Sequence, residues 1–507
     1  MYVIGLDVGT TGTKALLIDE TGKLKGRGYR GYRTIQGAGG IVEQRAEDWR
    51  EAASGAVREA CAECEKSEIT ALALSTQGAS SLLVDVDFNA IGNAVTWMDK
   101  RAVQEEEELQ KKAEDGYYYT KTGWELSASL DACKLLWIKK NRREDLHRAV
   151  KFISTLEYMN HCLTGHAVID PTNGAIRQLM DIQTWQWDEK ILKDIGISRE
   201  LLPEIKRTGE YLGTLTEDAA DALGLTKEVK VFNGAHDQYC CALGSGSVKN
   251  GDLLLGTGTA WAVMSITDQP MLTKSRISPA RHVVPGLWGA LSSISGGGIV
   301  LDWWKDRMTG LTYEALNEGV EQKIGREETL MFFPYLTGAG CPIWDFRAKG
   351  TLTGLELRHD PLDVAVAVME GIVFHTAMLL EDYRENGAQI NSLRVMGGAL
   401  NSSGWMLILQ AVLDCEVIRV TQTDAACVGA AMIAAVEGGI YKDYALAVKS
   451  MVSYEGMQEV SGELKEFYQL KYKAYKRNWN IIREIYHSGL SGQDMPLVPG
   501  RKEQYDQ

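Results

Sequence analysis

One pattern occurs twice, half a chain apart, and it constrains the fold more than any other feature. Val3, Ile4 and Leu6 run into Asp7, Gly9-Thr10-Thr11-Gly12 makes a turn, and Ala15-Leu-Leu-Ile18 returns. Leu253-Leu-Leu255, Gly256-Thr257-Gly258-Thr259 and Ala260-Trp-Ala-Val-Met264 repeat the strand, the Gly/Thr turn and the strand. Apolar runs bounded by glycine turns read as hairpins, and two at corresponding places predict two similar halves. The stretch from Leu243 to Asp252, rich in Gly, Ser and Asn, has the composition of a connection between them. Short apolar runs at 71–74, 81–86, 151–154 and 229–232 alternate with helical patterns. That alternation predicts an α/β protein of mixed sheets covered by helices. The second half adds a long apolar helix over 363–383, a strand at 393–396 and a Gly/Ala-rich helix over 425–436.

Composition narrows the partners. The 507 residues suit two large domains at roughly 100–200 residues per domain. A net charge of −14 argues against nucleic-acid and anionic-membrane surfaces. Nine scattered cysteines fit a reducing compartment. The first strand starts at the N-terminus, leaving no room for a signal peptide, and the longest uncharged apolar stretch, between Asp424 and Glu437, is too short for a bilayer. A cytoplasmic protein is expected. Other features read as structural: Cys61 and Cys64 as packing, Glu105–Glu108 as a solvated helix face, His375 as a core histidine. Tyr468, Tyr472, Tyr475, Trp479, Ile482 and Tyr486 read as a packed helical stripe, and the segment from about Ser488 as a mobile tail.

The chemistry concentrates at the turns. In Asp7-Val-Gly9-Thr10-Thr11-Gly12-Thr13-Lys14, glycines let backbone amides approach phosphate oxygens. Threonine hydroxyls add donors, and a carboxylate at a strand end suits Mg²⁺, which keeps much of its hydration. Such a segment alone is usually just a hairpin; the second turn, Gly256 to Thr259, makes a two-sided clamp for a triphosphate. No Walker A or dinucleotide-binding glycine pattern is present. Gly296-Gly-Gly298 and Gly397-Gly398-Ala399-Leu400-Asn401 admit either a nucleoside or tight backbone packing. Asn233-Gly-Ala-His236-Asp237-Gln238 follows an apolar strand and puts Asp237 at a strand end. With Gln77 and Trp97-Met98-Asp99-Lys-Arg101, it supplies the carboxylates, amides and aromatic face that a polyol requires.

These residues resemble the FGGY carbohydrate kinases, the xylulokinase and glycerol kinase group, across nearly the whole chain. Gly350-Thr-Leu352-Thr-Gly354-Leu355, seven residues, then Asp363-Val-Ala-Val-Ala367-Val-Met-Glu370 fits the family's C-terminal signature throughout. Lys134-Leu-Leu-Trp137 fits the N-terminal one, although Asp131 stands where a small residue or proline is usual. The resemblance implies a two-domain actin/hexokinase/Hsp70-like (ribonuclease H-like) α/β fold with ATP and sugar in the cleft between the halves. It implies a sugar-binding domain at 1–245, a nucleotide-binding domain at 246–455, and a C-terminal helix and tail at 456–507. Asp237 then resembles the catalytic base and Asp7 the Mg²⁺-linked carboxylate. Thr10, Thr11, Gly256 and Thr257 resemble phosphate contacts, Gly298, Gly398 and Asn401 nucleoside contacts. Gln77, Trp97, Asp99, Arg101 and Gln238 accompany Asp237 on the sugar side. After Gln77, Gly78-Ala79 replaces the Met-His of xylulokinases and the Arg-Glu of glycerol kinases, which counts against glycerol; a ketopentose such as D-xylulose is the first expectation, with another pentulose, a tetritol, an aldonate or a signalling polyol as the alternatives. The implied activity is ATP-dependent phosphorylation of a small sugar or polyol by a homodimer; the alternative on the same fold is a non-catalytic ATP-binding regulator.

Overall fold

The computed structural model describes residues 1–488 apart from 295, 327, 457 and 458. The tail expected beyond Ser488 therefore lies outside the described residues.

The largest sheet of each half is mixed; the first half carries a five-stranded sheet besides. The first contains β1 (Tyr2–Val8), β2 (Gly12–Asp19), β3 (Leu24–Gly31), β4 (Ile69–Thr76), β5 (Tyr211–Thr214) and β6 (Lys230–His236), in the order β5-β6-β4-β1-β2-β3. The second contains β7 (Asp252–Thr257), β8 (Trp261–Thr267), β9 (Ser278–Arg281), β10 (Trp288–Ile294), β11 (Ser392–Gly397), β12 (Glu416–Val420) and β13 (Tyr454–Glu455), in the order β9-β10-β8-β7-β11-β12-β13. The repeated hairpins are β1–β2 and β7–β8. In both sheets the first hairpin strand also pairs in parallel with a later strand, β4 or β11, which in turn pairs in parallel with another, β6 or β12. The two halves thus share one strand plan.

Four helices matter most for the site: α1 (Asp237–Gly244), α2 (Pro361–Glu385), α3 (Ala425–Glu437) and α4 (Gly462–His487). Although α3 follows the second sheet in sequence, it lies on the first. A Cβ on Gly5 of β1 would collide with the Cys427 carbonyl of α3, and Arg207 bridges to Glu437 at 3.0 Å. Helix α1 crosses α3 with backbone against backbone. A Cβ on Gly244 would strike the Ala425 carbonyl, and one on Gly429 the Cys240 carbonyl. Around this crossing, one apolar core joins Val3, Leu16 and Ala73 of the first sheet to Leu254, Met264 and Ile266 of the second.

Helix α2 is the one helix among the described residues that is long and apolar enough to span a bilayer; 89% of that span is buried in the protein. It starts at a reciprocal cap. The Asp360 carboxylate accepts from the amides of Leu362 and Asp363 (2.8 and 3.1 Å), and Asp363 accepts from the Asp360 amide (2.8 Å). Lys323 bridges both carboxylates. Of the stretch 350–370, Asp363–Glu370 lies in this helix, while Thr351–Thr353 is a short strand paired with Met331–Phe333. His375 is a core histidine, its ring nitrogens 3.2 Å from the Tyr335 hydroxyl and 2.7 Å from the Cys341 carbonyl. The α4 stripe from Tyr468 to Ile482 packs into the chain's own core. The solvated face expected at Glu105–Glu108 needs correction: Glu105 is buried and pairs with Lys140 at 3.0 Å.

Gly429→Ala should destabilise the protein by about 1–3 kcal/mol or more, because overpacking a backbone contact forces the helices apart. Gly462→Ala, at a helix start with nothing within 4 Å of the added carbon, should be neutral. Denaturant titrations of both variants check the difference.

Candidate active site

The strand register assembles the site. Asp7 on β1 lies opposite Ser75 on β4, whose neighbour Thr76 pairs with His236 at the end of β6. Asp7, Gln77 and Asp237 therefore emerge side by side at the carboxyl ends of three parallel strands, the usual ligand position of an open α/β sheet. Ser75 donates to Asp7 at 2.7 Å. Burial, with the facing Asp237 carboxylate second, pushes Asp7 up to about 7. Burial likewise pushes Asp237 up to about 6, against the hydrogen bond from Gln238.

Three cavities meet here. The largest, about 1130 Å³, is walled by Thr10, Gln77, Trp97 and Trp124 from the first half and by Arg276, Ser292, Trp344 and Phe346 from the second, with Asp237 and Gln238 between. A second, about 190 Å³, is lined by Asp7, Lys14, Asp237, Gln238, Asp424 and Ala425. A third, about 300 Å³, is lined by Gln238, Gly256, Thr257, Gly258, Met396 and Gly397. Gln238 borders all three, and Asp237 borders the first two. The middle cavity is suited to a phosphoryl group. The first turns of α1 and α3 both border it, where unpaired amides and helix dipoles favour anions, and Lys14 adds a cation. Asp424 is tied by Lys14 at 3.3 Å and Arg27 at 2.5 Å, so its charge is already balanced.

The anticipated residues divide into three groups. Thr10, Gln77, Trp97, Asp237 and Gln238 share the large cavity, and Gly256 and Thr257 line the third. The Thr10 turn is braced: its carbonyl accepts from Gln44 (2.6 Å) and its hydroxyl from the Trp97 indole (3.1 Å). Thr11 is exposed at the turn's tip. The Thr257 hydroxyl is engaged within the second half, donating to the Met396 carbonyl (2.7 Å) and accepting from the Ala399 amide (3.1 Å). That leaves its backbone to face the cavity. Gly298 donates to the Gly258 carbonyl at 3.1 Å, and a Cβ there would come within 2.8 Å of the same oxygen. Gly398 and Asn401 stay exposed beyond the end of β11.

Asp99 and Arg101 require a correction, because neither lines the cavity. Arg101 Nε reaches both Asp99 oxygens (2.9 and 3.0 Å), its Nη2 reaches Glu43 (2.6 Å), and Asp99 also accepts from the Val42 amide (2.6 Å). The guanidinium stacks over Trp137 at 4.9 Å. The pair clamps the Trp97 loop, which a motif read for its polar groups alone resembles a sugar contact. Asp131, at the signature's unusual position, also has a partner: Arg177 contacts it at 2.5 Å and Glu157 at 2.9 Å, all three fully buried.

Several residues escaped the sequence reading. Lys14 ends the first hairpin motif and Asp424 precedes an apolar helix, but nothing in the sequence pairs them. His236 fills the space above Gly78, where a Cβ would come within 2.7 Å of its Nε2. Its ring is buried, lines the large cavity and sits 3.3 Å from Asp237. Burial lowers it to about 4, so it is neutral at pH 7.

Two family models cover most of the chain: the FGGY family of carbohydrate kinases, N-terminal domain, matches residues 2–244, and the C-terminal domain matches 253–438. The chain belongs to the FGGY family of carbohydrate kinases. It is 25% identical over 488 residues to the xylulose kinase of Bacillus subtilis, covering 96% of this chain and 98% of that protein. Crystal structures of a ligand-bound xylulose kinase and of a gluconate kinase from Lactobacillus acidophilus have TM-scores of 0.89 and 0.88. Each is 25% identical and covers 96% of this chain and 99% of its own. The fold is the two-domain, actin-like α/β fold of these kinases, and the enzyme is an ATP-dependent phosphotransferase with an alcohol acceptor.

Removing one partner of a buried ion pair typically costs ~3–5 kcal/mol, so Arg101→Ala should lower stability on that scale. The measurement is a thermal melt beside steady-state kinetics. A normal melting temperature with a raised sugar KM would instead make Arg101 a substrate contact.

Proposed function

We propose that this FGGY kinase phosphorylates a terminal hydroxyl of a small polyol, with a ketopentose such as D-xylulose the first candidate. The observation that carries the reading is the meeting of the large acceptor cavity and the phosphate-sized cavity at Asp237 and Gln238. Asp237 acts as general base. It accepts the hydroxyl proton as that oxygen attacks the γ-phosphorus in line and ADP departs. Gln238 holds one Asp237 oxygen, leaving the carboxylate aimed, and Gln77 and Trp97 orient the polyol. Thr10, Thr11 and the backbone at Gly256 and Thr257 hold phosphates. Gly298, Gly398 and Asn401 border the nucleoside.

The residues present fit Mg²⁺ carried by ATP. Asp7 keeps an elevated affinity for protons because burial and Asp237 disfavour its charge, a strain that a cation beside it relieves. Asp7 would hold it, and when bound it supplies charge neutralisation at the transferring phosphoryl group. In this reading residues 1–245 bind sugar, 246–455 bind nucleotide and 456–507 add the closing helix and tail.

The similarity to xylulose and gluconate kinases is equal, at 25% identity for each structure, so local chemistry ranks the acceptors. The His236 edge on the cavity wall supports a hydroxyl-rich substrate despite Gly78-Ala79. No cationic side chain stands at 78 or 79 to grip glycerol.

ADP release from Mg-ATP across pentuloses, hexuloses, polyols and aldonates tests the assignment. Asp237→Ala should lose ~10²–10⁴-fold or more in kcat, the usual worth of general-base catalysis, while retaining ATP affinity. Near-normal turnover would remove Asp237 from this role. The base must be unprotonated, and its carboxyl titrates near 6. Asp7 is pushed up to about 7, so wild-type kcat/KM should be full above about 7 and fall as the pH drops through both carboxyls.

A further inference from the structure

We propose that Trp344 and Phe346, carried by the nucleotide-side half, are substrate contacts that set the fit of the polyol and draw the two halves together around it. The inference rests on the kinase reading above. Both rings line the large cavity, facing a volume otherwise bounded by Trp97, Trp124, Gln77 and Asp237 of the first half. Neither is spent on the core: Trp344 is 45% exposed and Phe346 68%. Large rings left so open on a cavity wall mark a binding surface rather than packing.

Their loop is held firmly. Asp345, between them, is buried and takes His487 at 2.7 Å and Arg483 at 3.2 Å from α4. Its backbone exchanges two hydrogen bonds with Ala339 (2.8 and 2.9 Å), and the Trp344 indole donates to the Ser275 carbonyl. Trp344 has φ = +51°, a left-handed conformation that a bulky side chain keeps only when its surroundings impose it. The middle residue thus points to α4 while its neighbours present rings to the cavity. Those rings meet edge to face at 6.2 Å, an apolar corner that matches the C–H face of a polyol.

Size gives the second argument. At about 1130 Å³, the cavity exceeds the ~300–1,000 Å³ usual for small-ligand sites, so a pentulose cannot touch every wall at once. Closure would carry inward the second half's wall, whose largest apolar groups are these two rings. Arg276 of that wall already reaches Glu125 of the first half at 2.7 Å, showing where the halves approach. Aromatic contact with bound polyol would reward closure, which excludes water as a competing acceptor.

The test uses the full-length enzyme with Mg-ATP and the best acceptor from a panel of D-xylulose, D-ribulose, D-gluconate and glycerol. Trp344→Ala and Phe346→Ala should each raise the KM for that acceptor about tenfold, the scale of one lost aromatic contact. The KM for ATP should not change. Phe346→Leu should recover part of the loss. Small-angle scattering should show the wild type contracting when the acceptor is added, and Phe346→Ala contracting less. Because the Phe346 ring is mostly solvent-exposed, its variants keep a normal melting temperature. Unchanged acceptor KM in both alanine variants, or an equal rise in ATP KM, would overturn the inference while leaving the kinase standing. A wild type silent on D-xylulose but active on another acceptor would sink the ketopentose assignment alone.

Discussion

The crossing of α1 over α3 is the contact on which the rest of the molecule depends. Gly244 and Gly429 leave no side chain between the helices, and Gly5 lets α3 rest directly on β1. At such separations a methyl group has no space, and interior packing transmits any shift. The reward is positional. Asp237 opens α1 and Asp424 immediately precedes α3, so the crossing brings both beside Asp7 and turns two helix starts toward one small cavity. A helix from the second half thereby becomes part of the first half's site.

Charge burial follows a consistent logic. Several buried structural carboxylates are neutralised by a cation: Asp99 by Arg101, Asp131 by Arg177, Asp363 by Lys323 and Glu370 by Lys471. Such pairs cost much to break but add little net stability; their value is in fixing loops such as the one that carries Trp97. Asp7 and Asp237 have no cation of this kind in hydrogen-bonding range among the described residues. Their elevated proton affinities record that difference. Both of these carboxylates border the small cavity between the two helix starts.

Much of this was legible in advance, and the reasons are specific. A hairpin is local, so the Gly/Thr turns announced both β1–β2 and β7–β8. Strand 151–154 and the helix around 425–436 also stand where periodicity placed them. Asp237 was readable because it follows an apolar strand directly. Asp99 and Arg101 misled because a polar motif looks the same whether its groups face a ligand or each other. Only the reach of Val42 and Glu43, over fifty residues earlier, settles which. Glu105 misled for the same reason, since Lys140 comes from a separate helix.

By itself, the sequence determined the α/β class, the two-half plan, the two Gly/Thr turns and the strand end that carries Asp237. These depend on residue order within a few positions, where backbone conformation is set by glycine freedom and apolar periodicity. The tertiary structure alone decided that Lys14 meets Asp424, that His236 occupies the space left by Gly78, and that Trp344 and Phe346 close a cavity begun by Trp97. Each of these joins segments far apart in the chain. No local pattern encodes such a meeting, because it depends on how sheets and helices pack after the local elements have formed.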